Sequence, residues 1–261
     1  MNVARTAQWI ILDVPGAPPM KEKLQQFAPV AAHAVFASTD LHPLREDGPQ
    51  LVELLPHSQL AQSVHEQPWE WAGLLLQADV STPSLLKHLR RMLTVTFGLH
   101  YKGLLNYYNP CTASYFFDAC DARELSRWLG PIRQLRWFGG TWADRAVGCQ
   151  GWQQLLNPAL AVRPLAVEES LSPLQREKLQ TCLLEQHIWR WCQSLGTDYA
   201  TMSSHVQQGL ALGFSDRTVL DGWLWLRLLH PRAVLVPPPG PPVCKVGFPC
   251  AAAAAASSGF S

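Results

Sequence analysis

The chain has 261 residues, and its 21 Lys and Arg against 20 Asp and Glu give a formal net charge of +1. This balance argues against a protein that holds nucleic acid mainly through phosphates, because such binding needs a basic excess or a basic stripe. Charged residues make up only 16% of the chain and hydrophobic residues 48%, with eleven tryptophans among them. The chain therefore has more apolar contact surface to account for than an ordinary soluble domain.

Neither a membrane span nor a secretory signal is predicted. The longest apolar runs, such as Trp9–Leu12 and Gly73–Leu76, are far shorter than the roughly 20 residues that a spanning helix needs. Met1–Gln8 has no basic segment followed by a long apolar one. The seven cysteines are irregularly spaced without a Cys-x-x-Cys pair, which favours reduced thiols over disulfides or zinc. We expect a soluble cytoplasmic protein with no metal and no cofactor.

The first part of the chain alternates short apolar runs with helical segments. Ala7–Val14 is predicted to be a strand, and Lys21–Phe27 a short helix. Further strands are predicted at His33–Ala37, Leu51–Leu55 and Ala72–Gln77, because apolar runs there are bounded by loop residues.

A basic amphipathic helix is predicted after Ser81. The Ser-Thr-Pro-Ser sequence from Ser81 resembles a helix start, and leucines then recur at helical spacing up to Leu93. His88, Arg90 and Arg91 lie on the polar side of this helix. They could bind an anion or an acidic partner surface, or they could form an ordinary solvated face.

A hairpin and a capped helix are predicted next. Val95–Leu99 and Leu104–Tyr108 have the pattern of two strands joined by a short turn. Asp121 with Glu124 forms a capping-box pattern at a helix start. Asp118 lies three residues before Asp121, so a carboxylate cluster is the alternative interpretation of these acids.

The last strands of this part are predicted at Ile132–Phe138 and Gly151–Leu156. The alternation of elements predicts an α/β (mixed α+β) lobe over residues 1–158. Three helices, at Leu174–Leu195, Asp198–Leu212 and from Ser215 to about Leu228, predict a smaller all-helical lobe over residues 170–232. Residues 233–261 are rich in proline and alanine, and we expect them to be disordered.

Two tryptophan pairs stand out in the helical lobe: Trp189 with Trp191, and Trp223 with Trp225. Residues two apart on a helix point to different faces, so one core stripe cannot take both. One member of each pair is therefore expected to be partly exposed, where a Trp typically anchors an interface. The alternative is a helix buried on both sides.

Five stretches of the chain resemble the effector chaperones, or adaptors, of bacterial type VI secretion (the Tap/Tec type). They are Trp9–Asp13, Gly48–Leu54, Trp71–Leu74 with Leu85–Leu93, Leu105–Pro110, and Leu125–Ile132. The fourth is similar to the family's Arg-Phe/Tyr-Tyr-Asp-Pro hallmark, but Asn106 stands where the family usually has Arg and Asn109 where it has Asp. A possible ion pair is thus replaced by neutral amides, while the turn before the proline is kept.

The resemblance implies a non-catalytic cytoplasmic protein that binds a cognate toxin effector and loads it onto the secretion spike, either VgrG or its PAAR tip. It implies no nucleic-acid or membrane partner. On this interpretation the candidate contact residues are Arg90, Arg91, Tyr107, Tyr108, Asn109, Trp189, Trp191, Trp223 and Trp225.

A small cytoplasmic hydrolase with a Cys or Ser nucleophile is the alternative function. Its candidates are Cys111 or Cys149 with a histidine such as His100. The sequence contains no Gly-x-Ser-x-Gly, phosphate-loop or His-Glu-x-x-His motif that would support it.

Overall fold

The computed structural model describes residues 7–13, 19–27, 31–97 and 101–230. The chain forms two compact units, Met1–Met202 and Ser203–Ser261. The structure contains a six-stranded antiparallel sheet together with helices, and the helices become more frequent toward the C-terminus. This confirms the predicted mixed α+β class. The predicted division into residues 1–158, 170–232 and 233–261 stays a prediction, and its third segment lies outside the described residues.

The main sheet has the strand order β2-β3-β1-β4-β7-β8, with every neighbouring pair antiparallel. Its strands are β1 (Ala7–Leu12), β2 (Ala32–Ala34), β3 (Gln50–Glu53), β4 (Gly73–Ala78), β7 (Ile132–Gly139) and β8 (Gly151–Leu156). All six correspond to predicted strands, and β8 has the predicted bounds. The strands β2 and β8 form the two edges of the sheet.

Alternating side chains along β1 explain why both faces of the sheet are covered. Trp9 and Ile11 belong to one buried cluster, whereas Ile10 and Leu12 belong to another. This period of two is what a strand buried on both sides requires. The helices α3 (Thr82–Arg91), α4 (Pro110–Asp118) and α5 (Ala122–Leu129) contribute to the first cluster. The helices α1 (Pro19–Gln25) and α2 (Gln59–Glu66) contribute to the second.

The predicted start of α5 is confirmed. Asp121 accepts a hydrogen bond from the Glu124 amide at 2.8 Å, and the Glu124 carboxylate accepts one from the Asp121 amide at 3.0 Å. These reciprocal bonds satisfy two amides that the helix leaves without partners. The helix ends at Gly130, where φ is +51° and a Cβ would lie 2.4 Å from the His88 ring, so glycine is required there.

A second, three-stranded sheet corrects the predicted hairpin. The strands β5 (Thr94–Phe97) and β6 (Tyr101–Leu104) pair antiparallel, and β9 (Glu169–Ser170) pairs parallel with β5. The second hairpin strand is therefore shorter and earlier than the predicted Leu104–Tyr108. Leu105–Tyr108 instead forms the turn that leads into α4, because Asn109 begins that helix.

Helix α7 (Pro173–Leu195) packs against α4 and against the short helix α6 (Trp142–Ala146). The helices α8 (Tyr199–Ala211) and α9 (Arg217–Leu229) follow it. In the second unit, Trp223 of α9 packs 5.8 Å from the Phe214 ring. No helix in the described ranges is long and apolar enough to cross a membrane.

Candidate functional site

The motif Leu105–Pro110 forms a buried junction between β1 and α4. The side-chain oxygen of Asn109 accepts hydrogen bonds from the amides of Cys111, at 3.0 Å, and Thr112, at 3.2 Å. The Asn109 amide group donates to the Asp13 carboxylate at 2.8 Å. One asparagine therefore caps α4 and ties it to the end of β1.

Asp13 is a buried carboxylate at the end of β1. Burial raises its pKa, and the hydrogen bond from Asn109 partly opposes that increase. An aspartate at position 109 could not donate this bond while ionised, and it would place a second carboxylate beside Asp13. Asn109 is therefore suited to its position beside a buried carboxylate.

Tyr107 and Tyr108 are buried side chains. The Tyr107 hydroxyl donates to the carbonyl of Leu89 in α3 at 3.1 Å, and the Tyr108 ring lies 6.4 Å from that of Phe36. Burial raises the pKa of both hydroxyls above the ordinary value. The motif thus joins three parts of the core, and direct partner contact by Tyr107, Tyr108 or Asn109 stays a prediction.

Two of the three basic residues predicted on α3 are engaged inside the protein. His88 Nε2 donates to the Trp128 carbonyl at 2.8 Å, and burial lowers the pKa of this imidazole. The Arg90 guanidinium donates to the carbonyls of Val35, at 3.1 Å, and Ala34, at 3.4 Å. Arg90 therefore closes the β2 edge. Partner binding by Arg90 or by the half-buried Arg91 stays a prediction.

The first predicted tryptophan pair is half-buried on α7. Trp189 packs against Trp142 with ring centroids 5.0 Å apart, and the Arg145 guanidinium lies 4.9 Å from the Trp189 ring. Trp191 donates from Nε1 to His187 at 3.1 Å. Both members are therefore partly exposed, as was expected of at least one, and Trp142 of α6 covers part of Trp189.

The second predicted pair divides as the helical spacing requires. Trp223 is 5% exposed, whereas Trp225, two residues on, is 49% exposed. Trp225 therefore presents apolar surface to solvent on the second unit. A role for either tryptophan in partner binding stays a prediction.

The alternative enzymatic interpretation gains no support from the thiol it would use. Burial raises the pKa of Cys111, which opposes formation of the thiolate that a nucleophile requires. Cys149 is exposed, and His100 lies outside the described residues. Within the described ranges, no three His, Cys, Asp or Glu side chains are grouped as a metal site. Asp118, for which the sequence left open a carboxylate cluster with Asp121 and Glu124, forms an ion pair with Lys178 at 2.7 Å.

An exposed aromatic surface, which the sequence interpretation did not single out, lies beside the β8 edge. Trp69 is 66% exposed and Trp152 is 38% exposed, and the ring of Phe138 lies 6.5 Å from the first and 5.8 Å from the second. We call these three residues the aromatic ledge. Trp152 and Phe138 are direct cross-strand partners in β8 and β7. The signal that could have identified it was Trp152 on the same side of β8 as Gln154, since residues two apart share a face of a strand.

The outer edge of β8 carries backbone groups without a partner in the described part of the chain. The Asn157 amide donates to the Arg133 carbonyl at 2.9 Å. Hydrogen-bonded pairs alternate along an antiparallel ladder, and the register continues unbroken along β8. The N–H and C=O groups of Trp152, Gln154 and Leu156 therefore point away from β7.

Comparison with family models finds that residues 8–127 match a family described as a domain of unknown function (DUF4123). No curated protein and no solved structure matches the chain.

Proposed function

We propose that the protein is a non-catalytic adaptor that binds a cognate toxin effector and loads it onto the VgrG or PAAR spike of a type VI secretion system. The main observation that supports this proposal is the aromatic ledge. Two exposed Trp side chains grouped with a half-buried Phe on one surface are typical of a protein-binding site. They lie beside a strand edge that has no backbone partner among the described residues, and this edge adds backbone groups that a partner could use.

The motifs support the same function independently of the ledge. The matched span, residues 8–127, contains four of the five stretches that resemble the adaptors, and the fifth begins within it. The structure gives these stretches physical roles: Trp9–Asp13 contains most of β1, and Leu105–Pro110 caps α4. A cytoplasmic location follows from the proposed role, because such an adaptor acts before secretion.

The test is co-purification of the tagged chain with the effector encoded beside its gene and with the C-terminal end of the spike protein. We expect both to be recovered, and we expect deletion of the adaptor to abolish secretion of that effector. Recovery of neither protein, together with unchanged secretion after deletion, would contradict the proposal. Replacing both Trp69 and Trp152 by Ser should reduce recovery without unfolding the chain.

A further inference from the structure

We propose that the β8 edge is the docking site for an extended segment of the effector, which adds a seventh strand to the sheet and carries Lys or Arg at alternate positions. This inference rests on the proposed adaptor function and adds the conformation and charge pattern of the segment that is bound. It is carried by the unpaired edge together with an acidic groove on one face of β8.

The edge itself is suited to strand addition. β8 is six residues long and contains neither proline nor a charged residue, although such residues are the usual means by which proteins protect an edge. Its outward groups at Trp152, Gln154 and Leu156 have no backbone partner among the described residues. Leu156 is also 63% exposed. An incoming strand would satisfy these donors and acceptors directly.

The acidic groove lies on the face of β8 opposite the aromatic ledge. Gln153 and Leu155 are cross-strand partners of Trp137 and Leu135, so they lie on the face that α4 covers. A cavity of about 590 Å³ opens there between β8, α4, α6 and α7. Its charged lining residues are Asp118, Asp144, Glu177, Glu185 and Lys178.

Four carboxylates thus face a single ammonium group, and that group already pairs with Asp118. The Glu185 carboxylate accepts bonds from the Tyr115 hydroxyl and, at 3.1 Å, from the Ala143 amide. Asp144 accepts from the Thr141 amide at 2.8 Å. These neutral donors fix the carboxylates in place without cancelling their charge, and Glu177 is exposed. The groove therefore favours a cationic occupant.

The alternation of side chains along a strand predicts which residues the bound segment carries at successive positions. Alternate side chains of an added strand would point to opposite faces. One set would lie over the acidic groove and the other over the aromatic ledge. On the ledge face, the Arg136 guanidinium already lies 5.0 Å from the Trp152 ring, which disfavours a further cation there. Basic residues suit the first set and apolar residues the second. A second copy of this chain is a poorer occupant, because pairing two β8 edges would bring two acidic grooves together.

The first experiment compares two substitutions at one outward-facing position. Gln154→Pro removes an N–H that makes no bond to β7, whereas the control Gln154→Val keeps that N–H. We expect the effector to bind Gln154→Val as it binds the wild-type chain, and to bind a folded Gln154→Pro at least about tenfold more weakly. Equal binding by a folded Gln154→Pro would overturn the proposal. Failure of the wild-type chain to bind any effector would instead contradict the adaptor function.

A second measurement tests the charge pattern, including the case in which Gln154→Pro does not fold. Glu177→Lys reverses an exposed charge in the groove, and Glu53→Lys reverses an exposed charge on β3 as its control. We expect only Glu177→Lys to weaken effector binding, by about tenfold at low salt and by less at high salt. Equal binding by both variants would overturn the proposal.

The edge can also be tested without any effector by using a synthetic probe. A ten-residue peptide that alternates Lys and Val should bind at least about tenfold more tightly than one that alternates Glu and Val. It should also slow amide hydrogen exchange at Gln154. Equal affinity of the two peptides, or protection elsewhere than β8, would overturn the docking proposal and leave the adaptor function to the co-purification test.

Discussion

The two edges of the main sheet are built in opposite ways. β2 has only three residues, and the Arg90 guanidinium occupies the carbonyls of Ala34 and Val35 beside it. β8 has six residues and an outer edge without a backbone partner among the described residues. A short strand and a bound cation protect an edge from pairing with other chains. This contrast is why we propose β8, rather than β2, as the edge that a partner uses.

The motif Leu105–Pro110 and the aromatic ledge also differ, because the first is largely buried and the second contains exposed tryptophans. The Tyr107 and Asn109 side chains of the motif hydrogen-bond within the protein. Near β8, Trp69 and Trp152 are exposed. The side chains of this motif therefore stabilise the fold, whereas the proposed binding surface lies outside it. Substitutions in the two regions should accordingly affect different properties.

The largest expected effect on stability is that of Asn109→Ala. It removes the cap of α4, at about 1 kcal/mol, and leaves the buried Asp13 without its donor, at about 2 kcal/mol. We expect the free energy of unfolding in urea to fall by about 3 kcal/mol. Asn106→Ala is the control and should cost less than about 1 kcal/mol, because the Asn106 side-chain oxygen has no described partner. Equal losses would show that the junction is not specific to Asn109.

Arg90→Ala should have the next largest effect because it reopens the β2 edge. Hydrogen bonds from a charged donor contribute about 2 kcal/mol, and the two carbonyls lose that donor. Arg91→Ala, on the same helix, is the control and should change the free energy of unfolding by no more than about 0.5 kcal/mol. If Arg90→Ala weakens effector binding but leaves stability unchanged, the assignment of Arg90 to the closed edge is wrong.

Asp13→Asn should give a smaller, pH-dependent gain. Burial raises the pKa of Asp13, so the folded chain holds this proton more tightly than the unfolded chain does. Stability therefore decreases as the pH rises from the ordinary carboxyl pKa through the raised value, and the loss persists at neutral pH. We expect Asp13→Asn to be more stable than the wild type at pH 7, with the difference vanishing in acid. A difference that grows in acid would contradict this assignment.

Substitutions on the aromatic ledge should have the smallest effect on stability. Trp69→Ser removes a ring that is 66% exposed and should change the free energy of unfolding by no more than about 0.5 kcal/mol. Trp152 is only 38% exposed, so Trp152→Ser should cost about 1 kcal/mol. Both should nevertheless weaken effector binding in a titration with the purified effector. Trp225→Ser, at an exposed position of the second unit, is the comparison. A loss of binding only with Trp225→Ser would move the interface away from β8.

The sequence predicted local structure well where a pattern and its cap lie within a few residues. The β8 strand and the Asp121–Glu124 capping box are examples. It placed the end of the second hairpin strand wrongly because Asn109 begins α4, and the partner that fixes Asn109, Asp13, lies far away in the sequence.

The candidate surface was harder to predict for the same reason. The acids of the groove come from α4, α6 and α7, and only the tertiary packing places them beside β8. The basic residues on α3 looked available from the sequence, but the acceptors of Arg90 lie 55 and 56 residues earlier in the chain. Helical spacing did predict that Trp223 and Trp225 would differ in exposure, since that depends on one helix alone.

Amide hydrogen exchange of the chain alone and in complex with the effector encoded beside its gene tests whether β8 is the docking edge. We expect slower exchange at Trp152, Gln154 and Leu156 in the complex, with no change at the β2 amides. Complex formation with unchanged exchange along β8, or with protection confined to β2, would contradict it.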